Sequence, residues 1–349
     1  MGKKILTSPL SGKEEIIEVG AEKDTLILAL ESSCDETACA VVKNGRDVIS
    51  NVVASQIKTH MQFGGVVPEV AAREHLEAVN EVIAKAIEEA DIKPEELTAV
   101  AATVGPGLVG SLLVGMNAAK TLSLVFDKPF IGINHLNAHV CANYIDTDLK
   151  PPFIALLVSG GHTQIIKVTD YSESEILGET IDDAAGEAFD KVARLLGLPY
   201  PGGLHLDKMA ENGNPNAYKF TKAHVGEFDF SFSGLKTAVL QLIKKLSAEN
   251  PDFDRADVAA SFREHITGIL AEKTLKAAEK FGMKQVVMAG GVAANSELRR
   301  KIKAFEEKGY KVYIPPMKYC TDNAAMIGAC AYFHEDVITD VGTEVFSRA

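Results

Sequence analysis

The sequence is poor in cysteine pairs and in long apolar runs. Its five cysteines are an odd number, and none of them form a Cys-x-x-Cys pair, which argues against a disulfide scaffold and against a cysteine-rich zinc site. The most apolar stretch, residues 108–126, is interrupted by polar side chains such as Asn117 and Lys120. It therefore predicts a buried core helix rather than a membrane span.

Positive charge is also scarce, because 36 lysines and arginines face 48 aspartates and glutamates, for a net charge of −12. Phosphate binding needs clustered cations, so this charge argues against a protein that grips nucleic acid over its whole surface. Residues 1–24 lack the apolar segment of a secretory signal, which predicts a cytoplasmic protein. The 349 residues are enough for one large domain or two medium ones, each with its own core.

Two segments, residues 25–43 and 153–169, share one layout: an apolar strand, a polar tight turn and a second apolar strand. Helices with a 3.6-residue periodicity follow each segment. This alternation of strands and helices indicates an α/β architecture. The repeated hairpin suggests either a duplication with a cleft between the halves or a chance similarity of two hairpins.

The turns of the two hairpins differ in chemistry. The second turn carries Ser159, Gly160 and Gly161, so its backbone N–H groups are open to a phosphate. The first turn carries hydroxyl groups and two carboxylates, Asp35 and Glu36. As a pair, such turns favour the clamping of a nucleotide phosphate, although each turn alone is also explained by ordinary turn preferences.

A third stretch suits a nucleoside. Residues 285–289 form a predicted buried strand that leads into Gly290, Gly291 and Asn295. Glycines at a strand-to-helix turn let a flat base lie against the backbone, and the Asn295 amide can bond a base or a ribose. The alternative is an ordinary loop in which Asn295 caps the next helix.

An acidic stripe follows the second hairpin. Asp183, Glu187 and Asp190 share one face of a predicted helix, and Asp207 follows a Pro-Gly-Gly turn. Carboxylates commonly bind ribose hydroxyls, so these residues are candidates for a ribose-binding wall. The alternative is a solvated helix face, which is the usual role of such a stripe.

A histidine pair provides the sharpest single motif. Asn134 is a suitable N-cap, and on the helix that it starts His135 and His139 lie one turn apart, the spacing that chelates a divalent ion. A carboxylate such as Asp322 would complete a triad suited to iron(II) or zinc(II). Without another cue, two such histidines are more often ordinary helix residues. A zinc protease is disfavoured, because Leu136 occupies the position of its general base.

Nine motifs occur in an order that resembles the bacterial TsaD family, from about Leu26 to Phe333. The motifs are residues 31–37 (ESSCDET), 64–69 (GGVVPE), 105–110 (GPGLVG), 135–139 (HLNAH), 157–163 (LVSGGHT), 182–190 (DDAAGEAFD), 230–236 (FSFSGLK), 289–295 (AGGVAAN) and 320–323 (CTDN). The resemblance implies a duplicated actin/hexokinase/chaperone-like ATPase fold, with two RNase H-like halves. It also implies transfer of threonylcarbamoyl from threonylcarbamoyl-AMP to the exocyclic amine of the adenosine 3′ of the tRNA anticodon.

The resemblance also implies roles for individual residues. His135, His139 and Asp322 match the metal ligands, with Fe(2+) the usual ion and Zn(2+) the alternative, and Asp35 and Glu36 are the catalytic candidates. The substrate-binding positions are Val158, Ser159, Gly160, Gly161, His162, Asp190, Gly203, Asp207 and Asn295. The implied partners are a tRNA that reads codons beginning with A, a paralogous TsaB-type subunit and a TsaE-type ATPase, with no membrane.

The predicted organisation is an N-terminal extension, residues 1–24, followed by two halves. The first half is residues 25–134, completed by a C-terminal helix at 323–349, and the second half is residues 135–322. The main competing hypothesis is an ATP-binding module of the actin or chaperone type, which would need neither His135 nor His139. A sugar kinase and a metalloendopeptidase are further alternatives.

Overall fold

The computed structural model describes residues 3–334, 337 and 340–347, which form two compact units. Unit 1 comprises Met1–Lys150 and Thr321–Ala349, and unit 2 comprises Pro151–Cys320. The predicted α/β class is confirmed, since each unit contains a five-stranded sheet with helices. The units divide at 150/151, whereas the predicted boundary was 134/135. The intervening helix belongs to unit 1 because it packs against that unit's last helix.

Unit 1 contains a two-stranded hairpin and a five-stranded sheet. The hairpin consists of β1 (Lys3–Thr7) and β2 (Glu14–Glu18), and the sheet of β3 (Leu26–Glu31), β4 (Glu36–Lys43), β5 (Asp47–Ser55), β6 (Ala99–Gly105) and β7 (Phe130–Asn134). The strand order is β5-β4-β3-β6-β7. β3 pairs antiparallel with β4 and parallel with β6, and Leu28 lies opposite Val41 and Val100.

Helices cover both faces of this sheet. They are α1 (Ile57–Met61), α2 (Pro68–Ala90), α3 (Val109–Phe126), α4 (His135–Cys141) and α10 (Ala324–Phe333). Successive side chains of a strand point to opposite faces, so Leu28 and Leu30 of β3 join the core with α2 and α3. Ala29 faces α10, where Gly328 packs so closely that an added Cβ would come within 2.5 Å of Val42. A sheet covered in this way explains why β3 and β6 are almost uniformly apolar.

Helix α3 has the length and composition of a membrane-spanning helix. Its buried residues include Leu112, Met116 and Ala119, and it packs against α2 and β6. Core helices meet the same length and hydropathy criteria, and this packing agrees with the core helix that the sequence predicts.

The N-terminal extension forms the β1–β2 hairpin. Leu6 and Ile17 bury their side chains on one side of it, in an alternating pattern typical of strands with one covered face. Lys4 is also buried, and its ammonium donates hydrogen bonds to the backbone carbonyls of Ala331, Tyr332 and His334 at the end of α10. The hairpin is therefore anchored on the last helix of unit 1.

The C-terminal helix expected at 323–349 is shorter than that range, because α10 ends at Phe333. Further along, the Phe346 N–H donates a 3.0 Å hydrogen bond to the Val104 carbonyl of β6. Residues 335, 336, 338, 339, 348 and 349 of the expected range lie outside the described residues.

Unit 2 repeats the sheet plan of unit 1. Its strands are β8 (Phe153–Val158), β9 (Thr163–Val168), β10 (Ser174–Glu179), β11 (Gln285–Ala289) and β12 (Lys311–Tyr313), in the order β10-β9-β8-β11-β12. Its helices are α5 (Ala185–Leu195), α6 (Gly202–Ala210), α7 (Ser233–Glu249), α8 (Arg255–Lys280) and α9 (Ser296–Lys303). As in unit 1, the first strand pairs antiparallel with the second and parallel with the fourth. The repeated hairpin predicted from the sequence is thus part of a repeated sheet.

Candidate active site

The histidine pair of unit 1 lies on α4, directly after β7. The Asn134 side chain accepts hydrogen bonds from the backbone N–H groups of Leu136 and Asn137, at 2.9 and 3.3 Å, and so caps the helix. Because the helix begins at this cap, His135 and His139 are one turn apart, and their ring centroids are separated by 4.6 Å. The N-cap predicted at Asn134 is confirmed.

Asp322 lies beside the two histidines, just before α10. Its Oδ1 is 3.2 Å from His139 Nε2 and 3.6 Å from His135 Nε2. One ligand atom from each of the three side chains lies within 4.8 Å of the others. The structure therefore brings together the three residues that the sequence proposes as metal ligands, including the one that is most distant in the chain.

Glu31 supports this cluster from the end of β3, and sequence reasoning assigned it no role. Its carboxylate is buried and lies 3.1 Å from His135 Nδ1, the ring nitrogen opposite to the one that faces Asp322. The Thr103 hydroxyl and the Ser33 N–H also donate to it, at 2.6 and 2.5 Å. Such a carboxylate fixes the tautomer and the orientation of a metal-binding histidine. The sequence feature that could have indicated this role is a glutamate at the end of an otherwise apolar strand.

Burial and neighbouring charges shift the pKa values of His135 and Asp322. Burial disfavours the charged form of His135, but Glu31 and Asp322 outweigh it and raise the pKa of His135 to about 9. Burial likewise disfavours the charged form of Asp322, but His135 and His139 outweigh it and lower the pKa of Asp322 to about 2. The cluster thus holds an ionised carboxylate beside an imidazole that must lose its proton before it can bind a cation.

The donor set fits a divalent transition metal. Two imidazole nitrogens and one carboxylate oxygen are the ligands of non-haem iron(II) sites and of catalytic zinc sites, which keep coordination positions open for substrate. The Nε2 atoms of both histidines approach the same Asp322 oxygen, and Glu31 holds the Nδ1 side of His135. Both rings therefore present Nε2 to the same position beside Asp322, as two imidazole ligands of one cation would.

Asp35 and Glu36 occupy the turn between β3 and β4. His75 of α2 braces this turn, because its Nδ1 lies 2.7 Å from Thr37 Oγ1 and its Nε2 lies 3.0 Å from the Cys34 carbonyl. Burial, together with the charges on Asp322 and Asp35, raises the pKa of Glu36 well above its ordinary value. His75 is a second residue that sequence reasoning missed, since its partner turn is distant in the chain.

Two glycines after β6, Gly107 and Gly115, permit close packing against the first hairpin turn. A Cβ on Gly107 would lie 2.6 Å from the Ser33 carbonyl, and one on Gly115 of α3 would lie 2.3 Å from Ser32 Oγ. The Leu108 N–H also donates to the Ser33 carbonyl at 2.8 Å. These contacts hold the first hairpin turn against the start of α3.

The second hairpin turn, in unit 2, is closed by its own hydrogen bonds. The Ser159 N–H donates to the His162 carbonyl at 2.8 Å, and the His162 N–H donates to Ser159 Oγ at 3.1 Å. Gly160 and Gly161 are exposed, and added Cβ atoms there would meet no atom within 4 Å. Val158, which precedes the turn, is fully buried, so its side chain belongs to the core.

The other predicted substrate residues of unit 2 are joined in pairs. The Gly203 N–H at the start of α6 donates to Asp190 Oδ1 of α5 at 3.1 Å. The Asn295 amide donates to Asp207 Oδ1 at 2.9 Å. Arg263 of α8 forms a 2.9 Å ion pair with the same oxygen of Asp207. Asp207 is thus held by protein partners, of which Arg263 was missed by sequence reasoning.

Two glycines bring the second hairpin turn into contact with these pairs, so that the contacts form a closed ring. A Cβ on Gly290, whose φ is +88°, would lie 2.4 Å from the Val158 carbonyl, and one on Gly186 would lie 2.5 Å from the Ser159 carbonyl. Residues 158–162, helices α5 and α6, the start of α9 and the glycine turn after β11 are therefore in contact. We call this set the unit 2 ring. All nine predicted substrate residues lie on it, whereas Asp35, Glu36 and the metal candidates lie in unit 1.

Comparisons with known proteins show the family to which the chain is similar. A family model described as "TsaD: tRNA N6-adenosine threonylcarbamoyltransferase" matches residues 47–329. The chain is 53% identical over 312 residues to a Clostridium perfringens protein named tRNA N6-adenosine threonylcarbamoyltransferase, covering 88% of this chain and 92% of that protein. A Clostridium novyi protein of the same name is 54% identical over 316 residues, covering 89% of this chain and 93% of its own length.

Among solved structures, HypF from T. kodakarensis is similar in fold. The TM-score is 0.62 at 18% sequence identity, and the match covers 92% of this chain and 50% of HypF. At this identity the similarity concerns the fold alone.

Proposed function

Because the chain belongs to the TsaD family of tRNA N6-adenosine threonylcarbamoyltransferases, we propose that it transfers a threonylcarbamoyl group from threonylcarbamoyl-AMP to the exocyclic amine of the adenosine 3′ of the anticodon. The family resemblance predicted from the nine motifs is confirmed by these matches, and the enzyme class is acyltransferase. An ATP-binding module without this activity is not favoured.

The proposed metal ligands are His135, His139 and Asp322. The observation that carries this proposal is the approach of their ligand atoms to within 4.8 Å of one another, with Glu31 at 3.1 Å behind His135. Fe(2+) is our proposed ion and Zn(2+) the alternative, since both accept this donor set. When bound there, such a cation supplies Lewis-acid stabilisation of negative charge that develops on the transferred acyl group.

The chain's own residues have two further proposed tasks in unit 1. An exocyclic adenine amine is a weak nucleophile, so orientation of the reactants contributes more than a strong base. Asp35 is the proposed acceptor of the proton that leaves this amine. Glu36, whose pKa is raised by burial and by the charges on Asp322 and Asp35, is proposed to donate a hydrogen bond while it is protonated. His75 is a positioning residue, because it holds the turn that carries both carboxyl groups.

The unit 2 ring is the proposed binding site of the adenylate. The exposed glycines of its turn leave backbone N–H groups accessible to a phosphate. Asn295 and Asp207 hold each other in place at 2.9 Å, and such fixed polar groups suit a base or a ribose. The ring ties together Val158, Ser159, Gly160, Gly161, His162, Asp190, Gly203, Asp207 and Asn295, the substrate positions of the family resemblance.

The proposed partners are tRNAs that read codons beginning with A, a paralogous TsaB-type subunit and a TsaE-type ATPase, all in the cytoplasm. The net charge of −12 implies weak affinity of the isolated chain for RNA. Several large apolar side chains on α2 and α3 are exposed and thus available to a protein partner of unit 1. Leu76, Val109 and Val125 are 63%, 45% and 70% exposed.

The test is the transfer of the labelled threonylcarbamoyl group from supplied threonylcarbamoyl-AMP to tRNA by the full chain with its two partner proteins, alongside the metal content of each variant. His139→Ala should lose both transfer and bound metal. His224→Ala, at an exposed histidine of unit 2, is the control and should keep both. Near-normal transfer by the metal-free His139→Ala protein would refute the metal assignment, and absence of transfer by the wild-type chain with all components present would refute the proposed activity.

A further inference from the structure

A second group of potential metal ligands lies at the opposite end of the α4–α10 helix pair. It consists of Cys141, Cys330 and His334, and one ligand atom from each lies within 4.8 Å of the other two. Both thiols are buried, with 1% of each residue exposed, and His334 is half-buried. The proposed transfer reaction uses none of these residues.

The fold places the three residues together through two packed helices. Cys141 is the last residue of α4, whereas Cys330 and His334 are four positions apart at the end of α10. Residues at this spacing share one helix face, and α4 packs against α10. Asp322 lies before the start of α10 at Ala324, and Cys330 lies six residues beyond that start, which is about 9 Å of helix at 1.5 Å per residue. The two groups of ligands are therefore separate sites on one helix pair.

The backbone at this end is held in place. The His334 N–H donates to the Cys330 carbonyl at 2.9 Å, which continues the helical bonding to His334. Lys4 of the hairpin donates to the carbonyls of Ala331 and Tyr332, at 2.7 and 2.8 Å, and also to that of His334. A ligand position fixed before the cation arrives loses less entropy on binding.

The chemistry of this group differs from that of the candidate active site. Two sulfurs and one imidazole are soft ligands that favour zinc(II) or a similar thiophilic ion. Two thiolates also balance the charge of a divalent cation, so a buried site of this kind carries no net charge. The lack of a Cys-x-x-Cys pair does not oppose such a site, because the two cysteines come from different helices.

We propose that Cys141, Cys330 and His334 form a second metal site that binds one zinc-class divalent cation and fastens α4 to α10. On binding, each thiol releases its proton to solvent and forms a sulfur–metal bond, without any change of oxidation state. Since α4 carries His135 and His139, and Asp322 adjoins the start of α10, this site would stabilise the helix pair that supports the candidate active site.

Cobalt(II) titration of the metal-free full chain, under a thiol-free reductant, tests the proposal. Cobalt bound to thiolates gives an intense ligand-to-metal charge-transfer absorption, which a site of two histidines and a carboxylate does not give. We expect this band in the wild type, and we expect it to saturate at one equivalent of cobalt per chain once the candidate active site is removed as a competitor. It should persist in His139→Ala, which changes only the candidate active site.

Cys330→Ser should abolish the charge-transfer band of the two-thiolate site or reduce it to that of one thiolate. Cys39→Ser, at a buried cysteine of β4, is the control and should retain it. Because a buried substitution can unfold the chain, His334→Ala is the second variant, and we expect it to weaken cobalt binding by at least about tenfold. In a His139→Ala background, where the candidate active site cannot bind the ion, zinc should raise the melting temperature of the chain that keeps Cys330 and not that of the chain with Cys330→Ser.

Absence of the band in the folded wild-type chain would overturn the proposal. Retention of the full band in a folded Cys330→Ser variant would overturn it as well. A reductant-sensitive Cys141–Cys330 disulfide that forms in air while the reduced chain binds no cobalt would identify the two cysteines as a redox pair instead. None of these outcomes depends on threonylcarbamoyl transfer, so they leave the proposed function unaffected.

Discussion

The sheets of unit 1 and unit 2 have the same strand order, but the turns that follow their first strands differ. In unit 1, the turn after β3 is closely packed and carries Asp35 and Glu36. In unit 2, the turn after β8 exposes Gly160 and Gly161 to solvent. One sheet plan therefore presents carboxyl groups in one unit and open backbone in the other. The two units thus share their strands and differ in the few residues of the turn that follows the first strand. These turn residues determine the chemical groups that each unit presents.

Two aspartates, Asp322 of unit 1 and Asp207 of unit 2, also differ in their partners. Asp322 in unit 1 faces two histidines, and no Arg or Lys pairs with it among the described residues. Asp207 in unit 2 is paired with Arg263 at 2.9 Å and accepts a hydrogen bond from the Asn295 amide. The first can donate an oxygen to a cation, whereas the second is committed to holding the unit 2 ring. The comparison leads to four predictions.

The largest expected effect contrasts these two aspartates. Asp322→Asn should lose bound metal and about 100-fold or more of the transfer rate, because a neutral amide cannot replace an anionic ligand. Asp207→Asn should keep the metal and lose adenylate affinity, because the unit 2 ring loosens. Metal analysis and a binding titration with AMP would measure both. If the two variants lose metal equally, the proposed division of tasks is wrong.

Glu31 should have the next largest effect. Glu31→Gln removes the negative charge beside His135 Nδ1 but keeps the side-chain shape, so metal affinity should fall by about 10- to 100-fold. Competition with a chelator would measure it. Glu69→Gln, at an exposed residue of α2, is the matched control and should leave affinity unchanged. An unaltered affinity in Glu31→Gln would show that Glu31 does not orient His135.

Two adjacent glycines test the unit 2 ring. Gly290→Ala forces a Cβ to within 2.4 Å of the Val158 carbonyl at a φ of +88°, which should cost about 1 to 3 kcal/mol of stability. Gly291→Ala meets no atom within 4 Å, so the fold should remain and only the AMP affinity should fall. Thermal unfolding and AMP titration would separate the two effects. Equal stability losses in both variants would contradict this account.

The smallest expected effect concerns Asp182, whose carboxylate caps the start of α7. Burial opposes its ionisation, but hydrogen bonds from Ser231 Oγ and the Phe232 and Ser233 N–H groups outweigh this and lower the pKa of Asp182. A lowered pKa stabilises the fold above the unfolded value, about 3.9. This stabilisation is lost as the pH falls through the folded pKa. Because the site is largely exposed, the contribution should be below about 1 kcal/mol.

Urea unfolding at neutral and acid pH would measure this contribution. Asp182→Asn should be less stable than the wild type at neutral pH and should lose less stability on acidification. Asp252→Asn, at an exposed residue of the same unit, is the control and should follow the wild type. If the stability of Asp182→Asn depends on pH as strongly as that of the wild type, groups other than Asp182 cause the loss of stability in acid.

Local signals in the sequence were sufficient to predict much of the candidate site. Asn134 predicted the start of α4, and the four-residue spacing of His135 and His139 predicted their shared face. Assigning Asp322 to the same cluster needed the family resemblance, because no local pattern connects it to α4. The repeated hairpins predicted the α/β class, since strand periodicity and turn residues are local properties.

The supporting residues could not be predicted in this way. Glu31, His75 and Arg263 act on partners that are distant in sequence, and their roles depend on which elements pack together. The division at 150/151 has the same origin, because α4 joins unit 1 through its packing on α10. The β1–β2 hairpin has strands of only five residues each, which is too short for a periodic pattern to stand out.

The Lys4 ammonium has a practical consequence for anyone who shortens this protein. Truncation before β3 would leave three backbone acceptors at the end of α10 without their cation, in a helix whose ten residues are all buried. Fraying of α10 would then begin at its C-terminal end and extend towards Asp322, which precedes its first residue. The N-terminal hairpin would thus be needed to stabilise the helix next to the candidate active site, and truncated forms would represent the full chain poorly.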